Sequence, residues 1–192
     1  MNALRYWLGY LFSVLRNGMY AARSGRRTLV KNDRVRNSPL YDDVCIWQKA
    51  QLKSMTFEDD QLSKTENGHI DLALMRRIHR RTLLEIKHEL GDLWRPSSVT
   101  MDQGRGISLD QSIAIMHRLR DAGFPDNVLG VVSVTFSGRR HSFAIVHDKR
   151  DDFWMLDNGT FSFAPLRGSI FFGRRKDVHI LIGFNFFDVW NY

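Results

Sequence analysis

Along the chain, Leu72, Met75, Leu83, Ile86 and Leu90 recur at three- and four-residue intervals with His79 in step and Ile78 widening the stripe. That spacing predicts an amphipathic helix over Asp71 to Leu90, with Gly91 as its stop. Arg76, Arg77, Arg80 and Arg81 fall on its other face and are expected to meet solvent. His79 is read as a core-edge residue, because no second metal ligand stands at i+4. Ser108 to Ala122 predicts a second helix. Its stripe is Ile113, Met116 and Leu119, broadened by Ala114 and Ile115, and it closes at Gly123 and Pro125. A shorter helix is predicted over Asp42 to Met55, with Val44, Trp47 and Leu52 apolar, and a loop over Asp92 to Ser98. Strand patterns follow at Val128 to Phe136, His141 to His147 and Phe153 to Asp157, with polar turns between them, and a last run spans Val178 to Phe187. Tight turns between consecutive strands imply an antiparallel meander. The pattern therefore predicts an α+β fold, with N-terminal helices packed on an antiparallel sheet.

Composition supports a folded body: 192 residues, 43% hydrophobic and 12% aromatic. The formal charge of +7 suggests an anionic partner until it is mapped. Eight of the 28 basic residues and one of the 21 acidic ones fall within residues 1–36, so that segment carries the whole excess and the remainder balances. The chain divides accordingly into a basic extension, 1–39, and a domain, 40–192. No nucleic-acid motif accompanies the charge, so no specific nucleic acid is expected. Tyr6 to Leu15 is an uncharged run too short to span a membrane. It reads as an export-signal core, an interfacial helix drawn to anionic lipid, or a helix docked on the domain. Cys45, the only cysteine, lies in an apolar stripe without a basic neighbour and is expected to pack rather than react.

The chemistry-bearing residues cluster late. Ser108 opens a helix after the turn at Gly106, where the helix dipole and unpaired N–H groups stabilise an anion. His141 opens a strand and Asp157 closes the next, so the order is nucleophile, base, orienting acid. His69, His88, His117, His147 and His179 have no ligand spacing with a third ligand nearby. They are expected at the surface or core edge, with no transition-metal site. Phe184, Phe186, Phe187 and Trp190 are expected in core and edge packing.

Taken together, these segments resemble the bacterial transglutaminase-like cysteine peptidases, a papain-like fold family whose members include periplasmic proteases that release surface adhesins. Gly106-Ile107-Ser108-Leu109-Asp110, followed by Gly123-Phe124-Pro125, resembles the family's Gly-Asp-Cys-Glu-Asp helix and its Gly-Ile-Pro end. Asp92-Leu93-Trp94 resembles its Asp-Tyr-Trp, Arg140-His141-Ser142 its Gly-His-Ala, and Met155-Leu156-Asp157-Asn158 its Val-Leu-Asp-Asn; Trp47 also has a counterpart. The resemblance covers roughly residues 42–165 and implies a triad at Ser108, His141 and Asp157. Three motif positions depart from it. Ser108 stands for the cysteine, and a serine hydroxyl is not ionised by a helix end and an imidazolium as a thiol is. Ile107 and Leu109 stand for acids that bind calcium in the adhesin-releasing branch, and apolar side chains offer no oxygen, so no metal or other cofactor is expected.

The resemblance thus implies a divergent homologue, catalytically inactive, with a peptide or protein partner in its cleft. One alternative is a serine-dependent hydrolase using Ser108, His141 and Asp157. Another is a membrane-surface protein acting through residues 1–36. The resemblance implies the cell envelope, periplasmic or at the inner membrane, with the cytoplasm as the alternative.

Overall fold

The computed structural model describes residues 40–54, 70–91, 94–148, 153–175 and 177–190; the basic extension lies outside them. Helix α1, Tyr41–Ser54, buries Val44, Trp47 and Gln48 on one side. Gln48 Nε2 donates to the carbonyls of Asn185 (3.0 Å) and Asp188 (3.1 Å), tying the helix to the far end of the chain. Helix α2, Leu72–Glu85, starts at Asp71, whose carboxylate accepts the Leu74 N–H at 2.9 Å. It buries Met75, His79 and Thr82.

This helix ends five residues before Leu90, the predicted last residue. Ile86 is fully buried but extended. Beyond it, Lys87–His88 forms strand β1 and pairs in parallel with β2, Arg105–Gly106. Lys87 N donates to Gly104 O and Glu89 N to Gly106 O, each at 2.9 Å. Leu90, counted into the stripe, is 91% exposed. The apolar spacing runs on past the point where a non-local partner claims the backbone. The expected loop over Asp92 to Ser98 is cut short by a helix, α3, Ser97–Gln103, with Pro96 before it and Gly104 in the left-handed region after it (φ 62°).

Helix α4, Ser108–Asp121, buries Leu109 through Met116 without interruption, and Leu119. It lies between α2 and α3 on one side and the sheet on the other, which is why its core surface is wider than one stripe. A 3₁₀ turn, Asp126–Val128, leads to the strands. These are β3 (Leu129–Phe136), β4 (Arg139–His147), β5 (Phe153–Leu156), β6 (Leu166–Arg167), β7 (Val178–Phe184) and β8 (Val189–Trp190). They form one antiparallel sheet ordered β6-β5-β4-β3-β7-β8. A seven-residue helix, α5 (Gly168–Arg174), not apparent in the sequence pattern, joins β6 to β7.

Both faces of the sheet are covered. Val131, Ala144, Val146, Leu156, Ile182 and Phe184 pack with the helices. Val132, Val134, Phe143, Ile145, Met155 and Val178 pack with Phe171 on the other side. Two-sided burial explains why β3 reads as a continuous apolar run rather than an alternating one. Phe184 and Phe186 are fully buried, and Phe187 is 40% exposed. The β3–β4 connection is a two-residue turn, Ser137-Gly138, with φ of 48° and 74°, joining Phe136 directly to its partner Arg139. The four-residue turn read from the sequence is therefore shorter, because Arg139 and Arg140 already pair.

Candidate active site at the N-terminus of the central helix

Ser108 is the first residue of α4, and Ile107 before it is extended (ψ 172°). Asp110, one turn in, has no exposed surface. Its carboxylate accepts the backbone N–H groups of Ile107 (3.1 Å) and Arg95 (2.9 Å), which closes the helix end and holds the segment before α3 against it. Burial raises the Asp110 pKa, and those two N–H bonds with the Arg95 charge pull against the rise. The Ser108 carbonyl accepts from Ser112 Oγ at 2.7 Å.

His141 and Asp157 meet. His141 Nε2 and Asp157 Oδ1 are 2.5 Å apart, with both side chains buried. Oδ2 accepts three backbone N–H groups, from Gly159 (3.2 Å), Phe161 (2.5 Å) and Ser162 (3.0 Å), so the loop after β5 is wound around the carboxylate. Burial pushes the Asp157 pKa up. The His141 hydrogen bond and charge, with the Phe161 and Ser162 N–H groups, outweigh it and leave the acid below its ordinary range. The carboxylate acts as acceptor for Nε2, so in the neutral ring the proton sits there and Nδ1 is the acceptor nitrogen. Phe161 stands edge-on to the ring at 5.0 Å. Behind it, Arg175 lies over Phe136 and Phe161 at 4.7 and 5.1 Å.

The helix end and the strand are joined through the backbone: Ser108 Oγ accepts the N–H of Ser142, the residue after His141, at 3.2 Å. His141 and Asp157 are thus brought into direct contact, while Ser108 reaches them only through the backbone of the residue after His141. Among the described residues, no hydrogen bond links the Ser108 hydroxyl to the imidazole, the contact a serine needs to lose its proton.

Several supporting residues were not found in the sequence. His79, expected at the core edge, is fully buried, and its Nε2 lies 2.6 Å from the Asp157 carbonyl. Burial lowers its pKa, with the Asp157 carbonyl and charge opposing. Gln111 Nε2 donates to Ile86 O (2.7 Å), and Asn158 Nδ2 donates to Gln111 Oε1 (2.9 Å), linking α4 to the loop after Asp157. His88 pairs in register with Gly106, two residues from Ser108. Its pKa is lowered by partial burial and by the charge of His141, with Asp157 and Glu89 opposing. Counted into a helix, it carried no sign of this placement. His117, also expected at the surface or core edge, packs edge-on to Phe186 at 4.9 Å, and burial pushes its pKa down to about 4.

The positions that bind calcium in the resembled branch do not fit a cation here. Leu109 is in the core, Ile107 packs a methyl group beside Gly91, and both Asp110 oxygens hold backbone N–H groups. Among the described residues, no group of three or more His, Cys, Asp or Glu gathers in a way that suits a metal. Likewise, none of their helices is long and apolar enough to cross a membrane.

Solved structures of Legionella pneumophila LapG, a bacterial transglutaminase-like cysteine protease, superpose on this chain with a TM-score of 0.54 at 16% identity. The match covers 77% of this chain and 86% of LapG. The fold is transglutaminase-like. EGTA-treated LapG gives the same score and identity, and calcium-bound LapG gives 0.54 at 14% identity over 74% of this chain and 84% of that one. No protein-family model matches the chain, and no curated protein sequence matches it significantly. At such identity the likeness carries the transglutaminase-like fold and no activity.

Proposed function

We propose that this protein is a non-catalytic relative of the transglutaminase-like cysteine peptidases that holds a peptide segment of a partner at the end of α4 without cleaving it. One observation carries the reading. At the nucleophile's position a serine takes its hydrogen bond from the Ser142 backbone, and among the described residues its hydroxyl makes no hydrogen bond to the His141 imidazole that would have to remove its proton. Its two neighbours, Ile107 and Leu109, are apolar. What remains suits an extended chain: a helix start whose first N–H groups have no partner within the helix, and the exposed Phe163 (78%) on the loop after Asp157.

The expected result is no turnover of broad protease or transamidation substrates. Peptides selected from a random library by the wild-type chain should lose binding to Ser108→Trp, which fills the helix end. Hydrolysis that disappears in Ser108→Ala overturns the reading.

A serine hydrolase is the second reading, favoured by the intact His141–Asp157 pair, which leaves Nδ1 as the ring's acceptor nitrogen. It requires the Ser108 proton to pass to Nδ1 as Oγ attacks a carbonyl carbon, with helix N–H groups receiving the oxyanion. Fluorophosphonate labelling at Ser108 that depends on His141 selects it over the first.

A further inference from the structure

The outward face of α2 takes no part in the site. Arg76, Arg77, Arg80 and Arg81 stand on it with Leu84 and Glu85 and line a shallow, open groove. Arg81 is bound to Glu85 at 2.6 Å, and Glu85 also receives Arg118 at 2.6 Å, so the groove's single carboxylate is shared by two guanidiniums. Arg76, Arg77 and Arg80 are exposed and make no ion pair with any described residue. Leu84 among them is 72% exposed. The opposite face is anchored through Met75, His79 and Thr82, so the guanidiniums project from a fixed support. Like charges one helical turn apart destabilise a helix, a cost that a bound anion removes.

We propose that this face is a docking surface for an extended acidic segment of a partner protein. Arg76 and Arg80 form a pair a turn apart, spaced roughly 6 Å along the axis, with Arg77 beside them. Carboxylates on alternate residues of an extended chain recur on one side at roughly 7 Å, close to that spacing. A planar guanidinium binds a carboxylate through two parallel hydrogen bonds, and Leu84, one turn beyond Arg80, supplies an apolar seat at the end of the row. A lipid surface is held by several apolar side chains dipping together, and the groove has one. A nucleic acid would find phosphate contacts only, with no aromatic ring for a base to stack on. The proposal stands independently of what the cleft does.

The test uses the full chain and a fluorescent peptide of alternating glutamates with a leucine at one end, followed by anisotropy at low and raised salt. Binding is expected, weakening with salt and about tenfold weaker in Arg76→Glu/Arg77→Glu/Arg80→Glu. The control triple Lys49→Glu/Arg139→Glu/Arg140→Glu, the same change in net charge away from the face, should bind close to wild type. If the first triple loses helix content by circular dichroism, Arg76→Gln/Arg77→Gln/Arg80→Gln replaces it. No binding by the wild type overturns the proposal, as does equal loss in both triples. Tighter capture of phosphatidylserine vesicles or duplex DNA through the same arginines also overturns it.

Discussion

On the strand side of the site, one carboxylate has four partners: the His141 ring and the backbone N–H groups of Gly159, Phe161 and Ser162. On the helix side, Ser108 is held through one backbone donor, between Ile107 against Gly91 and Leu109 in the core. The strand side is built as a preorganised acid–base pair; the helix side is built as a helix start. The difference teaches that the polar pair is a structural knot in its own right, whatever chemistry stands beside it. Removing Asp157 leaves four donors, one buried and three half-buried, without their acceptor, whereas changing residue 108 disturbs one weak bond.

The comparison can be broken from either side. Asp157→Ala should produce the largest effect, a loss of roughly 3–5 kcal/mol in urea unfolding, because it leaves the ring and three N–H groups without their acceptor. A loss under about 1 kcal/mol would show that the loop after β5 contributes little.

The two buried acids should respond to pH in opposite directions. Asp157 has its pKa lowered on folding, so it contributes stability above the ordinary carboxylate range that is lost as pH falls through its folded value. Asp110 has its pKa raised, so its contribution is favourable below the unfolded value of 3.8 and is lost as pH rises through the folded value. Asp157→Asn should therefore flatten acid unfolding, and Asp110→Asn should remove an opposing slope. Parallel changes in both variants would contradict the contrast.

The smallest change in stability is expected for Ser108→Cys, within about 1 kcal/mol of wild type. Its chemistry is the sharper readout. A thiol at this helix start, beside the histidine strand, should alkylate with iodoacetamide with an apparent pKa below the free value of ~8.5. An ordinary thiol pKa there would place the imidazole out of reach and remove the second reading.

The sheet strands and α4 were legible because each signal is local: β-branched runs between turn residues, and an apolar period closed by Gly123 and Pro125. The transglutaminase-like fold was legible through ordered motifs rather than through any single one. What escaped depends on distant partners. Lys87 and His88 sit in helical phase but join Arg105 and Gly106 in a ladder, which no window around residue 87 records. His79 looked like the polar edge of a stripe and instead reaches the Asp157 carbonyl, 78 residues away. Gln111 and Asn158 carried no pattern, since a buried amide bridge depends on which atoms face it in three dimensions. Pro96 and Gly104 did mark α3 in the sequence, but a seven-residue helix is too short for periodicity to show.

The Ser137-Gly138 turn has a bearing on the site that its distance from Ser108 conceals. It is a spacer whose length counts residues: with two, Phe136 meets Arg139 and His141 lies across from Val134, on the face shared with Phe143. Side chains alternate along a strand, so one residue more or fewer would exchange the faces of His141 and Ser142. The imidazole would then leave its carboxylate with no change to either residue. The length of this hairpin therefore sets the site's geometry alongside the side chains themselves.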